Sequence, residues 1–223
     1  MFDKKLNVEY CTFNNKKMFK NIKNIIITST KTNIVLINGD NFIAEYTGEC
    51  PSGNNPVIHY DVTRNILELS VDLDGHVKNS SFIVTVPKNI NIISISTITG
   101  CIFADILNAD NLKITTTIGN IEGNYNARQI DLNTTSGNIK LSSNAEWLNV
   151  NTSSGYVELN LNECLKNVKA ESVSGDIKIN SSNKNIHLNF NTLGGKLISK
   201  IQDNRNSNIV FDVNTIIGNV FIS

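Results

Sequence analysis

Ile130-Asp131-Leu132-Asn133-Thr134-Thr135-Ser136-Gly137-Asn138-Ile139-Lys140-Leu141 is one copy of a phrase that recurs along residues 91–223. In each copy apolar and polar residues alternate up to a threonine or serine, a glycine follows three residues later, and the alternation resumes. The glycines are Gly100, Gly119, Gly137, Gly155, Gly175, Gly195 and Gly218, at spacings of 19, 18, 18, 20, 20 and 23 residues. A period near twenty marks a stacked architecture, because one such unit cannot bury its apolar side alone.

Aligned on the glycine, the copies fall into columns. Two residues after it stand Ile102, Ile121, Ile139, Val157, Ile177, Leu197 and Val220. Five before it stand Ile95, Ile114, Leu132, Val150, Ala170, Phe190 and Val213, and seven before it Ile93, Leu112, Ile130, Leu148, Val168, Leu188 and Phe211. The columns between these are polar, so the period is two, which is that of a strand with one dry face and one wet face. Three before the glycine comes a column of hydroxyls: Thr97, Thr116, Thr134, Thr152, Ser172, Thr192 and Thr215. The alternation turns it inward, where each hydroxyl needs a hydrogen-bond partner that stacked copies could supply to one another. The glycine marks the bend, where a positive φ resists a side chain.

Strands stacked about 4.8 Å apart would pair with their copies in a parallel ladder. The predicted fold is all-β: a parallel β-helix or β-roll, a solenoid of about seven coils over residues 91–223. Residues 1–90 read as an irregular β-sheet that caps the open edge of the first coil, in one continuous domain. Strand-like runs there (Ile25 to Ile27, Ile34 to Ile37, Phe42 to Tyr46, Val57 to Asp61, Ile66 to Val71, Phe82 to Val86) are broken by turn signals such as Asn38-Gly39-Asp40 and Asp74-Gly75. One short helical piece is allowed around Lys16 to Asn24. At the other end, the strand Val220-Phe221-Ile222 is expected to leave an unpaired edge for a protein partner or a second copy.

Composition excludes several classes. Twenty basic side chains balance twenty acidic ones, against an electrostatic nucleic-acid or membrane binder. No apolar run is long enough to span a bilayer. Met1 to Tyr10 lacks the apolar core of a signal peptide, so the expectation is cytoplasmic as written, or cell surface if a leader is removed. Cys11, Cys50, Cys101 and Cys164 fit no metal-ligand spacing and read as buried thiols; His59, His76 and His187 are scattered, so neither metal nor cofactor is expected. Asparagine, at 37 residues, suits both turns and outward ladders.

Outward columns are where chemistry would lie. Glu122, Lys140, Glu158 and Lys178 alternate in sign down one column and read as a register device rather than a catalytic strip. Glu122 with Asp131, or Glu171 with Asp176, are the best paired carboxylates for glycoside cleavage, yet neither has a second acid in the adjacent copy. No triad order or phosphate loop is present. Glycan binding would draw on Tyr156, Phe103 and Phe221 as outward aromatics and on the column Asn133, Asn151, Asn191 and Asn214, which could equally bond to itself. Trp147 reads as part of a variable connection.

The phrases Thr134 to Leu141, Thr152 to Leu159 and Ser172 to Ile179, with Ile25-Ile26-Ile27, Val35 to Asp40 and Val86-Pro87-Lys88 upstream, resemble the DUF4097 family of bacterial β-solenoid domains, the "putative adhesin" group. The resemblance covers residues 20–223, and drifts at Leu193-Gly194-Gly195 and Ile216-Ile217-Gly218. It implies a β-helical or β-roll fold, and in some cytosolic relatives a link to envelope-stress regulation. The function expected is a noncatalytic interaction, scaffold or adhesin-like module; the alternative is a polysaccharide-acting β-helix enzyme.

Overall fold

The computed structural model describes residues 10–53, 56–72, 77–88, 90–162 and 165–223. Among these residues there is no helix. The strands begin with β1 (Tyr10–Phe19), β2 (Asn24–Lys31), β3 (Asn33–Asn38), β4 (Phe42–Pro51), β5 (Val57–Thr63), β6 (Ile66–Asp72) and β7 (Lys78–Val86). They continue with β8 (Ile90–Thr99), β9 (Ile102–Ile118), β10 (Ile121–Ser136), β11 (Ile139–Ser143), β12 (Trp147–Ser154) and β13 (Val157–Leu161). The last are β14 (Asn167–Ser174), β15 (Ile177–Ser181), β16 (His187–Thr192), β17 (Leu197–Ser199), β18 (Val210–Ile217) and β19 (Val220–Ile222).

The chain is an all-β, solenoid-like stack. Strands that precede the glycine form one parallel ladder, β6–β2–β8–β9–β10–β12–β14–β18–β16. Strands that follow it form a second, β7–β3–β9–β10–β11–β13–β15–β19–β17. The long strands β9 and β10 serve both, their first residues in the second ladder and their last in the first. Ile121, Ile139, Val157 and Ile177 lie in register and fully buried, so the aliphatic columns stack into a closed core. The short returns between layers add inward pegs, including Ala145, Leu165 and Ile186.

The corner explains the conserved phrase within the chain. Thr116, Thr134, Thr152 and Ser172 donate their hydroxyls to the carbonyl oxygens of Gly100, Gly119, Gly137 and Gly155, the corner glycines of the preceding layers, at 3.2–3.4 Å. The hydroxyls of this column are therefore satisfied mainly by backbone rather than by one another, although Ser29 donates to Thr97 at 3.0 Å and, at the corner itself, Ser80 bonds Thr32 Oγ1 at 3.3 Å. A Cβ on any of the seven glycines would fall far inside contact distance of a neighbouring layer's corner carbonyl. That close approach is common to all seven, so it, and not a positive φ at each bend, requires glycine.

Three expectations are corrected. First, residues 1–90 are not only a cap. β2 and β3 lie directly on β8 and β9, with Ile25 on Ile93, Ile27 on Ile95, Ser29 on Thr97 and Ile34 on Ile102. β6 and β7 add another layer beyond them, with Leu67 on Ile25 and Phe82 on Ile34. Thr32 and Ser80 occupy the corner in these two layers, and the Ser80 hydroxyl donates to Lys31 O at 2.7 Å. Only β5, β4 and β1 cap, all antiparallel: β5 on β6, β4 on β7 and β1 on β4. Aromatic rings fill that end, Tyr46 lying 4.8 Å from Phe82 and 5.3 Å from Phe13. The helical piece allowed at Lys16 to Asn24 is instead the end of β1, a short link and the first residue of β2.

Second, Val220, Phe221 and Ile222 are not an edge. β19 is paired on both sides, by β15 and β17, and β18 likewise by β14 and β16. The chain's last layer is slipped between the two that precede it, so the spatial edge is β16 with β17. Leu188, Phe190 and Leu197 accordingly lose full burial, while Phe211, Val213 and Val220 keep it. Third, Cys11 and Cys101 are exposed rather than buried; Cys50 is buried, and Cys164 and His76 lie outside the described residues.

Two substitutions test the corner. Gly155→Ala should cost about 3 kcal/mol or more, because a backbone carbonyl cannot rotate away as a side chain can. Thr152→Val, of equal shape, should cost about 1–2 kcal/mol for the orphaned Gly137 carbonyl, against less than about 0.5 kcal/mol for the outward Ser153→Val. Urea unfolding of the three variants measures the order.

Candidate functional site

A broad depression lies on the wet face of the pre-glycine ladder. It has a volume of about 870 Å³ and crosses the layers from Thr115 in β9 to Leu193 beside β16. One wall is the column four before the glycine, where Asn133, Asn151, Glu171, Asn214 and Asn191 follow in spatial order. The other is the column two before it: Thr117, Thr135, Ser153, Val173, Ile216 and Leu193. Because neighbouring layers stack in register, each wall is a straight file with one side chain per layer. The second wall changes character along its length, from hydroxyls to apolar groups, and Leu193 at its end is 88% exposed.

The asparagines bond along the stack. Asn151 Nδ2 donates to Asn133 Oδ1 at 2.9 Å and Asn214 Nδ2 to Glu171 Oε1 at 3.3 Å. A second file sits one residue after the corner, which is Thr32 or a glycine: Asn33, Asn120, Asn138 and Asn219 each accept, through Oδ1, the backbone N–H of the residue stacked on it. That file was not picked out in the sequence reading, although asparagine recurs there at the same offset.

A smaller depression of about 300 Å³ lies on the same face, at the start of β12 and β14 and the middle of β10. Trp147 is the first residue of β12, flanked in register by Gln129 and Asn167, and is 48% exposed. It belongs to the outward face and not to a connection. Of the other outward aromatics, Phe103 is exposed and Tyr156 and Phe221 are half-buried, all away from this face.

The candidate acids are spread out. Glu122 stacks between Phe103 and Lys140 on one ladder, while Asp131 stacks between Lys113 and Asn149 on the other. Asp131 accepts from Gln129 Nε2 at 2.9 Å and Asn149 Nδ2 at 3.2 Å. Glu171 pairs with Lys169 at 3.0 Å, and Asp176 accepts the Asn219 N–H at 2.7 Å. Among the described residues no three His, Cys, Asp or Glu are grouped to hold a metal ion, and no helix is long and apolar enough to cross a membrane.

The chain matches the family described as Toastrack DUF4097 over residues 3–221. It belongs to this family. Toastrack domains are solenoid-like, which accords with the ladders above. Among solved structures, a "putative adhesin" from Bacteroides fragilis NCTC 9343 is 15% identical, with a TM-score of 0.56 over 96% of this chain and 97% of its own. A "putative lipid binding protein" from Parabacteroides distasonis ATCC 8503 is 12% identical, with a TM-score of 0.53 over 95% of this chain and 96% of its own. A "putative cell adhesion protein" from Clostridium sporogenes ATCC 15579 is 12% identical, at a TM-score of 0.46 over 95% and 99%. At these identities the likeness is one of fold. No functionally curated protein matches the chain.

Charge on the Toastrack stack serves its register. Lys178 Nζ sits 2.9 Å from Glu158 Oε1, and its hydrogen bond holds the Glu158 carboxyl below the usual carboxylate range. Asp203 is lowered as well, by the Leu188 N–H and then by His187, whose Nδ1 is 3.0 Å away. A carboxyl depressed in the folded state adds stability above its unfolded pKa, about 4.3 for Glu, and loses it as pH falls through the folded value. The melting temperature should thus be level near neutrality and fall below about pH 4. Lys178→Met should shrink that acid-side fall, which a thermal melt series in pH would show.

Proposed function

We propose that this chain is a noncatalytic interaction module of adhesin-like type, a parallel β-helix or β-roll of about seven glycine-cornered coils that presents its outer trough to a partner. The trough carries the reading: it offers two straight files of amide, hydroxyl and apolar groups at a fixed repeat, a shape suited to an extended polymer. The description of the Bacteroides fragilis protein as a "putative adhesin" is in keeping with it. The alternative, a polysaccharide-acting enzyme, would need two carboxylates facing one bond. Glu122 and Asp131 stand on different ladders, and Glu171 and Asp176 are each engaged by a neighbour, which favours binding over turnover.

The β16–β17 edge supports a second contact, with a protein partner or another copy. Asp203 and Asn204 cover only the first residues of β16, through the Leu188 N–H and the Ile186 carbonyl. β17 has no strand beyond it among the described residues, and Ile198 there is 52% exposed. An open edge of this kind pairs readily. Whether the module works at the cell surface or in the cytoplasm, where an envelope-stress role would sit, is decided by fractionation.

Ser153→Arg places a cation in the trough at an exposed position. It should weaken saturable binding to arrayed envelope polysaccharides and extracellular-matrix proteins about tenfold or more, with an unchanged melting temperature. Binding indifferent to that change, or sugar release abolished by Glu122→Gln and Asp131→Asn, would overturn the reading. For the edge, sedimentation should show a concentration-dependent dimer that Ile198→Lys dissolves; a monomer throughout would contradict it.

A further inference from the structure

We infer that the depression around Trp147 is a binding subsite for a neutral glycan, with the indole as stacking platform. The inference rests on the interaction reading above and names the ligand class for one end of that face. Sugars are recognised by a flat aromatic surface against the C–H side of the ring and by planar polar groups that bond to the hydroxyls.

Both parts are present on three adjacent strands. Trp147 lies between Gln129 of β10 and Asn167 of β14, one strand spacing to each side. Gln129, Asp131, Asn149, Asn167 and Lys169 line the depression with it. Asp131 fixes the two amides at its sides, through Gln129 Nε2 at 2.9 Å and Asn149 Nδ2 at 3.2 Å. Each carbonyl oxygen therefore has a set direction before any ligand arrives, and the ordering cost is met in advance. Bonded side chains of this type present both donors and acceptors, as a hydroxyl requires.

The site is also continuous with the trough. Asn151 Nδ2 reaches Asn149 Oδ1 at 3.3 Å, and Lys169 pairs with Glu171 at 3.0 Å, so these two contacts join residues that line the two depressions. A polymer seated on Trp147 and running along β12 would pass Asn149 and enter the trough between Asn151 and Ser153. Along this path Lys169 is paired with Glu171, while the Asp131 carboxylate is held by two uncharged amide donors and keeps its negative charge. A neutral chain is accordingly a better fit than an anionic one.

The indole has no structural duty that would confuse a test. It is half exposed on the wet face, while the inward neighbours Leu148 and Val150 carry the packing. Trp147 is the single tryptophan in the chain, so its fluorescence reports this site alone. The experiment titrates soluble neutral glucans, mannans, galactans and xylans into the intact chain and follows emission and its quenching by iodide. At least one polymer should shift the emission and protect it from iodide. Trp147→Ala, read by affinity electrophoresis, should lose about tenfold or more in affinity, with Trp147→Phe intermediate and Gln129→Ala reduced. Thermal melts of the variants should match the parent.

A panel in which no neutral polymer binds overturns the inference, and leaves the interaction reading standing if arrayed proteins or charged polymers still bind and Ser153→Arg still weakens them. A polymer that binds equally well to Trp147→Ala also overturns it, and places the glycan in the trough instead. Loss of all binding on every array would remove the interaction reading itself.

Discussion

The structure depends on a backbone contact that leaves no room for a side chain. At each glycine corner the chain turns against the corner carbonyl of a neighbouring layer, and at five of the seven, Gly119, Gly137, Gly155, Gly175 and Gly218, the hydroxyl three residues earlier donates to that carbonyl. Layer spacing, register and the bend are thus set together by one hydrogen bond and one missing Cβ. Were the corner looser, the strands could slip by a residue, and a slip of one turns every aliphatic side chain to water. The outward charges and asparagines reinforce the same register from the wet side, each by an amount that is small alone. The straight files of the trough follow from this alignment, since a binding face built from one residue per layer is only as ordered as the stack.

Order along the chain and order in space part company at both ends. β2–β3 is enclosed by β6–β7 and β8–β9, and β18–β19 by β14–β15 and β16–β17. In each case a later or earlier segment closes over a layer and leaves a different pair at the rim. At the first rim, antiparallel strands and aromatic rings cover the pair; at the second, a polar loop covers only part of it. The asymmetry gives the solenoid one closed end and one end with strand backbone to offer.

Much of this was legible in the sequence because an inward column in a stack can hold only what the core accepts. Ile102 through Val220, and the hydroxyls from Thr97 to Thr215, identify strands, facing and period without coordinates. The layers at β2–β3 and β6–β7 were harder to see since Thr32 and Ser80 stand where a glycine marks the other corners, even though Ile25, Ile27, Ser29 and Ile34 keep the usual offsets. The insertion of β18–β19 had no signature beyond the longer step from Gly195 to Gly218: copies of one pattern are interchangeable in register, so the pattern cannot say which lies beside which. The outward face was legible only as polar. That Trp147 joins it, beside Gln129 and Asn167, depends on where β12 begins, and strand ends are set by tertiary pairing rather than by local preference.

The most direct measurement is the set of inter-layer contacts among glycine Hα protons in a nuclear Overhauser spectrum of the folded chain. The account predicts an unbroken series from Gly100 through Gly119, Gly137, Gly155 and Gly175 to Gly218 and then Gly195, with no cross-peak between Gly175 and Gly195. A cross-peak joining Gly175 directly to Gly195, or corners too far apart to give cross-peaks at all, would contradict it.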